Sequence, residues 1–181
     1  MIKKWPKVAS KIIGDYRVFK LRQDTSQSPV TGGKHDFYVL ESADWINVIP
    51  ITPEGMVVMI HQYRHGTETV TLEVPGGMVD EQDGSPEESA ARELLEETGY
   101  AADKITRIGT VTPNPAILNN RCYTLLAQDA HPVAPPSFDG SEDIEVALVS
   151  LPTVHKMIAS SQITHALTIA AFYFYEQFGN M

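Results

Sequence analysis

Residues 76–100 read GGMVDEQDGSPEESAARELLEETGY, a glycine-rich loop followed by a segment with marked helix ends. Four residues carry these end signals: Ser85 as the N-cap, Pro86 at the first helical position, Glu88 as the capping-box partner and Gly99 as the left-handed stop. Together they predict a helix over residues 86–98.

Three glutamates share one side of this predicted helix. At 3.6 residues per turn, Glu93, Glu96 and Glu97 fall together, and Arg92 is the neighbouring side chain of opposite charge. Like charges at helical spacing repel one another, so we expect a bound cation. Oxygen ligands without a nearby Cys or His cluster favour Mg²⁺ or Mn²⁺ over zinc. A solvated acidic helix face without a metal is the alternative interpretation.

Residues 92–100, RELLEETGY, and the glycine-rich loop before them resemble the Nudix box of the Nudix hydrolases, in which a loop–helix–loop holds divalent metals against a diphosphate. The resemblance implies an α/β fold, a Nudix-type α/β/α sandwich with a mixed sheet. It implies metal ligation by the carboxylates of Glu93, Glu96 and Glu97 and by the backbone carbonyl of Gly76. It also implies catalytic roles for Glu96 and for Arg92, which would orient the carboxylates.

The loop of this box departs from the family pattern. The family places a glutamate six residues after the loop glycine and eight before the arginine, but the loop here is one residue longer. Asp83 or Gly84 therefore occupies the position of that glutamate, and Asp83 has the carboxylate for a similar role.

Two short motifs upstream of the box make the resemblance specific to one branch of the family. Residues 62–64 read QYR and residues 73–77 read EVPGG, an order that is similar to the ADP-ribose diphosphatase branch of the family. This similarity implies that Arg64 contacts the substrate phosphates and that Glu73 lines the site. Trp45 begins an apolar segment, where it either stacks on a nucleotide base or packs in the core.

The segment 112–121 connects two predicted strands, 105–111 and 122–127, and contains two prolines and two asparagines. Pro115 is similar to a marker of sugar-nucleotide-cleaving Nudix enzymes, which implies that it contacts the substrate. Asn119 and Asn120 are candidate donors to a ribose, sugar or phosphate, or they form a turn and a strand start.

Acidic residues stand at the beginning of the segment 141–149, in which the alternation predicts a strand. They resemble the place where ADP-ribose diphosphatases hold an additional metal ligand and often the catalytic base. We therefore assign Glu142 as a metal ligand or the catalytic base, with Asp139 or a box glutamate as the alternative base.

The first 44 residues predict a separate small β-sheet. Strand signals at 16–22 and 35–41 flank turn material at 26–33, and residues 45–181 then form the Nudix domain. So few strands are marginal in water on their own. The resemblance implies that this N-terminal sheet builds a homodimer, while packing within one chain is the alternative.

The remaining segments predict the body of the second domain. Short apolar strands occupy 45–50 and 56–60, and the second should be central because it is apolar on both faces. Two helices close the chain. In the second of them, five residues at helical spacing are expected to pack in the core: Ala166, Ile169, Ala170, Tyr173 and Phe174.

Composition limits the partners and the compartment. The net charge of −9 argues against nucleic-acid binding, because no basic block is available to neutralise a phosphate backbone. The single Cys122 excludes an intramolecular disulfide and suits a reducing compartment. The N-terminus does not predict a signal peptide, and the longest apolar stretch, 166–175, is too short to span a membrane. We therefore expect a cytoplasmic protein with no membrane partner.

The function expected from these features is metal-dependent hydrolysis of the diphosphate bond in nucleoside diphosphate sugars of the ADP-ribose, ADP-glucose or GDP-mannose type. The products would be a nucleoside monophosphate and a sugar phosphate. A nucleoside triphosphate pyrophosphatase and a non-catalytic nucleotide-sugar-binding module are the alternatives. An isoprenoid diphosphate isomerase is disfavoured because no second cysteine accompanies Cys122.

Overall fold

The computed structural model describes residues 1–138 and 143–179 and divides into two compact units. The N-terminal unit contains Met1–Ala43 and Thr112–Arg121, and the larger unit contains Asp44–Val111 and Cys122–Met181. The N-terminal unit thus combines the segment that ends at Ala43 with the loop 112–121.

The N-terminal unit is a three-stranded antiparallel sheet in the order β1 (Lys7–Tyr16), β2 (Phe19–Gln27) and β3 (Lys34–Glu41). The prediction of one strand over 16–22 is wrong, because a hairpin turn at Arg17 and Val18 interrupts it and Tyr16 pairs with Phe19. The polar–apolar alternation continues through this turn, so the pattern alone does not reveal it. The strand predicted at 35–41 corresponds to β3.

The loop 112–121 is attached to the end of β3. Leu40 forms a parallel bridge with Leu118, and the Leu40 N–H donates to the Ile117 carbonyl at 2.7 Å. These backbone contacts hold a segment that lies between the two parts of the larger unit in sequence but belongs to the N-terminal unit in space.

The larger unit has nine strands and three helices among its described residues. The strands are β4 (Trp45–Ile51), β5 (Met56–Arg64), β6 (Thr69–Glu73), β7 (Gly76–Met78), β8 (Tyr100–Ala101), β9 (Lys104–Val111), β10 (Cys122–Gln128), β11 (His131–Pro132) and β12 (Ile144–Ser150). The helices are α1 (Pro86–Thr98), α2 (Leu151–Ala159) and α3 (Ala166–Phe178).

The main sheet has the strand order β12-β5-β4-β10-β9, with β6 paired to β5 and β7 paired to β4. The β4–β10 pair is parallel and the other pairs are antiparallel, so the sheet is mixed. β5 has neighbours on both sides and three of its residues, Val57, Val58 and Met59, are fully buried. The predicted central position of this strand is confirmed.

Helices cover both faces of this sheet. On one face, Ala90 and Leu94 of α1 pack with Ile46 and Leu125 of the sheet. On the other face, Val154 of α2 and Phe172 of α3 pack with sheet residues such as Ile49, Met59 and Leu126. This arrangement is the expected α/β/α sandwich. Among the described residues no helix is long and apolar enough to cross a membrane.

The core-facing side of α3 differs from the prediction. Tyr173 and Ile169 of the predicted stripe are exposed, while the buried residues are Thr168, Ala171 and Phe172. Because residues 166–175 are almost all apolar, the sequence offers little contrast from which to choose a face. The buried face is thus rotated, and it includes a polar residue, Thr168, whose Oγ1 contacts His165 Nδ1 and the Val74 N–H.

Candidate active site

Helix α1 begins and ends where the sequence predicts. The Ser85 Oγ accepts a hydrogen bond from the Glu88 N–H at 3.2 Å, and Gly99 takes the left-handed conformation with φ of 73°. The Glu88 carboxylate accepts from the Gly84 N–H at 2.9 Å, one residue before the capping-box partner expected from sequence. The start of the helix is therefore tied to the loop that precedes it.

Asp83 lies in that loop and pairs with Arg92. The Arg92 Nε donates to Asp83 Oδ1 at 3.1 Å, Nη2 donates to Oδ2 at 2.9 Å, and the Ser89 Oγ donates to Oδ2 at 2.7 Å. Hydrogen bonds from Arg92 hold the pKa of Asp83 well below its usual range, despite its burial. A turn in which the Asp83 N–H donates to the Asp80 carbonyl accommodates the extra loop residue. Asp83, and not Gly84, is the residue that meets the arginine.

Arg92 also contacts two of the box glutamates. Its Nη1 donates to Glu93 Oε1 at 2.9 Å and to Glu96 Oε2 at 3.0 Å, and Nη2 donates to the Met78 carbonyl at 3.2 Å. The hydrogen bond with Asp83 and the charges around it raise the pKa of Arg92. The guanidinium thus stays charged and holds the loop and the carboxylates together.

The third box glutamate, Glu97, is buried and binds the loop backbone. Its Oε2 accepts from the Gly76 N–H at 2.9 Å. The loop leaves no room for larger residues here: a Cβ on Gly76 would lie 2.3 Å from the Ile46 carbonyl oxygen, and a Cβ on Gly77 would lie 2.4 Å from Glu93 Oε1. Gly76 is therefore required for the close approach of the loop to β4, and Gly77 is required for the close approach of Glu93.

The donor set around α1 fits a hard divalent cation. It consists of three carboxylates and nearby backbone carbonyls, all of them oxygen ligands, at the edge of a loop. Within residues 1–138 and 143–179, no group of three or more His, Cys, Asp or Glu side chains stands in the arrangement of a metal site. Two of the carboxylates are directed to Arg92 instead. Glu142 and Asp139 lie outside the described residues.

A cavity of about 680 Å³ adjoins the loop of the box. Four residues assigned from the sequence line it: Trp45, Arg64, Glu73 and Gly76. Gly77, Asn47 and residues 164–167 at the start of α3 complete part of its wall. Cavities of this size hold nucleotide-sized ligands.

Glu73 is a buried carboxylate in this wall that three side chains contact. Arg64 donates from Nε to Oε1 at 2.8 Å and from Nη2 to Oε2 at 2.7 Å, and Thr71 donates to Oε1. The His165 Nδ1 lies 2.8 Å from Oε2. Burial raises the pKa of Glu73, but the hydrogen bonds from Arg64, His165 and Thr71 outweigh it and hold the pKa well below its usual range. An ionised carboxylate thus anchors this side of the cavity.

His165 is a cavity residue that sequence reasoning missed. It immediately precedes α3, and its ring contacts Glu73 of β6, which is distant in the chain. No motif surrounds it, so the sequence carries no local signal for this contact. A histidine placed before a helix is usually interpreted only as part of the helix start.

Three residues assigned from the sequence, Pro115, Asn119 and Asn120, lie in the loop of the N-terminal unit. The Asn119 Oδ1 accepts from the Ser42 N–H at 3.2 Å, and the Asn120 Nδ2 donates to the Ala43 carbonyl at 3.0 Å. Both amides therefore tie the loop to the chain after β3. Their assignment as substrate contacts stays a prediction.

Comparison with known proteins places this geometry in context. The family described as NUDIX domain matches residues 43–170. The ADP-ribose pyrophosphatase of Bacillus subtilis (strain 168) is 32% identical over 127 residues, which cover 70% of this chain and 68% of that protein. The ADP compounds hydrolase NudE of Escherichia coli (strain K12) is 30% identical over 112 residues, which cover 62% of this chain and 58% of that protein.

One further relative in sequence and one solved structure are also similar to this chain. A GDP-mannose pyrophosphatase of Yersinia enterocolitica is 31% identical over 126 residues, covering 65% of this chain and 64% of that protein. The crystal structure of an ADP compounds hydrolase superposes with a TM-score of 0.85 at 20% identity, covering 98% of this chain and 95% of that one. The structural likeness supports the α/β/α fold with its small N-terminal sheet.

Proposed function

Because the chain belongs to the Nudix family, we propose that it is a metal-dependent hydrolase that cleaves the diphosphate bond of nucleoside diphosphate sugars. The products are a nucleoside monophosphate and a sugar phosphate. Three relatives that bear on this proposal are described as an ADP-ribose pyrophosphatase, an ADP compounds hydrolase and a GDP-mannose pyrophosphatase.

The observation that carries the proposal is the packing of the α1 carboxylates against the loop glycines at the wall of the cavity. Glu97 binds the Gly76 N–H and Glu93 lies against Gly77, and both glycines also line the cavity. A diphosphate in the cavity would thus lie next to a set of oxygen ligands. Such proximity is what phosphoryl transfer requires, since the protein contributes mainly position and charge.

We propose Mg²⁺ as the cofactor, with Mn²⁺ as the second choice. Glu93, Glu96, Glu97 and the Gly76 carbonyl would hold it, together with Glu142. When bound, the cation neutralises the charge of the diphosphate and favours attack on phosphorus. Arg92 orients two of these carboxylates through the contacts described above.

Two other residues act on the substrate from the cavity wall. Arg64 binds a phosphate: its side chain is 42% exposed, while its partner Glu73 is 1% exposed, so the guanidinium is ordered by a buried carboxylate and still accessible. Trp45 lines the cavity and stacks on the base. A carboxylate must also accept the proton of the attacking water, and we propose Glu142 for this role, with Asp139 or a box glutamate as the alternative.

We also propose a homodimer formed through the N-terminal sheet. In the N-terminal unit, every residue of which the structure describes, the buried residues are Asp24, Ser28 and Asn120, and none is apolar. Eight large apolar residues of the unit's two hairpins are exposed: Val8, Ile12, Ile13, Tyr16, Val18, Val30, Phe37 and Tyr38. A sheet without an apolar core is stabilised if a second copy covers it.

Sedimentation of the purified chain tests the dimer. Wild-type protein should sediment as a dimer and Ile12→Asp as a monomer, while Thr31→Asp, in an exposed turn, should leave the dimer intact. A monomeric wild-type protein at micromolar concentration would contradict this proposal.

A cytoplasmic location is proposed from the chemistry of the single cysteine. Cys122 is buried, and burial raises its pKa to about 12, so the thiol stays protonated. The sequence offers no second cysteine for a disulfide, which suits a reducing compartment.

Product analysis with a substrate panel tests the function. Purified protein is incubated with and without Mg²⁺ against ADP-ribose, ADP-glucose, GDP-mannose and nucleoside triphosphates, and products are separated by chromatography. The proposal predicts a monophosphate and a sugar phosphate only with metal. Reaction with triphosphates alone would indicate a pyrophosphatase, and binding without any reaction would indicate a sensor.

A further inference from the structure

Residues 131–138, here called the strap, lie against the C-terminal end of α1. The strap begins as β11, which pairs with β8 directly after the helix. The Val133 N–H then donates to the Gly99 carbonyl at 2.9 Å, and the Ser137 N–H donates to the Glu96 carbonyl at 2.8 Å. Main-chain groups of the strap thus bind two carbonyls at the end of the helix.

The Glu96 carbonyl needs a donor from outside the helix, because the last carbonyls of a helix have no partner within it. The helix stops at the left-handed Gly99, and the next N–H, that of Tyr100, donates to Thr98 Oγ1 at 3.1 Å. The last turn contains no basic side chain that could face these carbonyls. Ser137 therefore supplies, from a distant part of the sequence, the hydrogen bond that Tyr100 does not.

The strap is stiff and fits closely against the helix end. Three of its residues are prolines, Pro132, Pro135 and Pro136, and the proline ring fixes the backbone angle φ. A Cβ on Gly99 would collide with the Ala134 carbonyl oxygen, so the helix end and the strap are in direct contact. A segment with few conformations to lose on folding is suited to hold the helix end in one position.

The placement of Glu96 depends on the backbone of this last turn. The carboxylates of Glu93 and Glu97 contact the glycine loop directly. The Glu96 carboxylate accepts instead from Arg92, which lies four residues earlier on the same helix, and the Glu96 side chain is 46% exposed. Since helix ends fray, the hydrogen bond at the Glu96 carbonyl decides how firmly this carboxylate is held.

We propose that Ser137 is a positioning residue for the hydrolysis, and that its main-chain N–H holds the last turn of α1 so that Glu96 binds the divalent cation. This inference rests on the proposed function and gives a role in it to a segment outside the box. The Ser137 side chain is exposed and the contact uses the main chain, so the hydroxyl group should be dispensable.

Two substitutions at position 137 separate the N–H from the side chain. Ser137→Pro removes the N–H, whereas Ser137→Ala keeps it and is the matched control. Lactic acid incorporated at position 137 replaces the N–H by an ester oxygen and is otherwise identical to Ser137→Ala. Melting temperatures show whether each protein folds, and the ester carries the test if Ser137→Pro does not.

Binding of Mn²⁺ in the absence of substrate is the first readout, because it does not depend on turnover. Electron paramagnetic resonance of free Mn²⁺ gives the Kd of the purified chain. Ser137→Pro and the ester should raise this Kd about fivefold, as expected for one lost hydrogen bond, and Ser137→Ala should leave it unchanged. The Mg²⁺ concentration for half-maximal hydrolysis of ADP-ribose should rise equally, while KM at saturating Mg²⁺ should change less than about twofold.

Glu96→Gln tests whether the effect passes through Glu96. This variant should itself raise the Kd for Mn²⁺, and adding Ser137→Pro to it should cause no further rise. An equal rise in both backgrounds, or an unchanged Kd in the folded proline and ester proteins, would overturn the inference. Failure of both proteins to fold would overturn it too, because the N–H would then support the fold as a whole.

The outcomes distinguish this inference from the function on which it rests. If wild-type protein hydrolyses no nucleotide sugar in the presence of metal, the proposed function and this inference both fail. If wild-type protein is active and loss of the Ser137 N–H leaves its metal affinity unchanged, only the inference fails.

Discussion

Asp83 and Arg92 form a two-point ion pair, with Nε to Oδ1 at 3.1 Å and Nη2 to Oδ2 at 2.9 Å. The pair connects a loop that is one residue longer than the family pattern to the middle of α1. Because Arg92 also binds Glu93 and Glu96, one guanidinium positions the loop and two of the three box carboxylates.

Asp83→Asn should lower both stability and activity. The variant side chain has a similar shape but lacks the negative charge that pairs with Arg92. A hydrogen bond to a charged group contributes about 2 kcal/mol to the stability of the folded state. We expect the free energy of unfolding in urea to fall by about that amount and kcat/KM to fall about tenfold. Asp83→Glu, which restores the family residue, should retain most of both. Wild-type activity in Asp83→Asn would show that Arg92 orients the carboxylates without this pair.

Glu97→Gln should lose most of its activity and remain folded. The amide oxygen can still accept from the Gly76 N–H, but the negative charge for a cation is gone. We expect kcat/KM at saturating Mg²⁺ below a tenth of wild type, a loss above about 1.4 kcal/mol. Glu87→Gln, in the first turn of the same helix, is the control and should have wild-type activity. If Glu97→Gln keeps more than a tenth of the wild-type kcat/KM, Glu97 is not a metal ligand.

Gly77→Ala should weaken metal binding. Its Cβ would lie 2.4 Å from Glu93 Oε1, so the carboxylate must move. We expect the Mg²⁺ concentration for half-maximal activity to rise about tenfold, measured by magnesium titration of the initial rate. Gly66→Ala is a suitable control, because the added Cβ would meet nothing within 4 Å. An unchanged magnesium requirement would show that Glu93 tolerates displacement.

The hydrogen bonds of Glu73 predict a pH-dependent stability. Its pKa in the folded state lies below the ordinary value of 4.5, so its contribution is fully present above that pH and is lost as the pH falls toward the folded-state pKa. Glu73→Gln should be less stable than wild type by about 2 kcal/mol at neutral pH, and this difference should shrink on acidification. Urea unfolding at a series of pH values measures it, with the exposed Glu68→Gln as control. A difference that grows on acidification would contradict the prediction.

The ends of α1 were predicted correctly because they depend on residues that are close together in the sequence. The bounds of α1 follow from Ser85, Pro86 and Gly99, each of which acts on backbone within a few residues. The mixed sheet with helices packed on both of its faces was predicted from the family resemblance and from strands, such as β5, that are apolar on both sides.

Features that depend on distant contacts could not be predicted in this way. The alternation in residues 16–22 conceals the turn at Arg17 and Val18, and the uniformly apolar start of α3 conceals its buried face. His165 meets Glu73 only after α3 packs beside β6, so no spacing in the sequence indicates it. The pairing of Asp83 with Arg92 likewise required the conformation of the loop.

Hydrolysis of ADP-ribose in ¹⁸O-labelled water, with Mg²⁺ present, tests the central claim most directly. Mass spectrometry of the products should find AMP and ribose 5-phosphate, with one ¹⁸O per turnover in one of the two phosphates, because water attacks a single phosphorus of the diphosphate. Without metal there should be no products. Release of inorganic phosphate or of ADP, or no reaction with ADP-ribose and every other nucleotide sugar of the panel, would contradict the account.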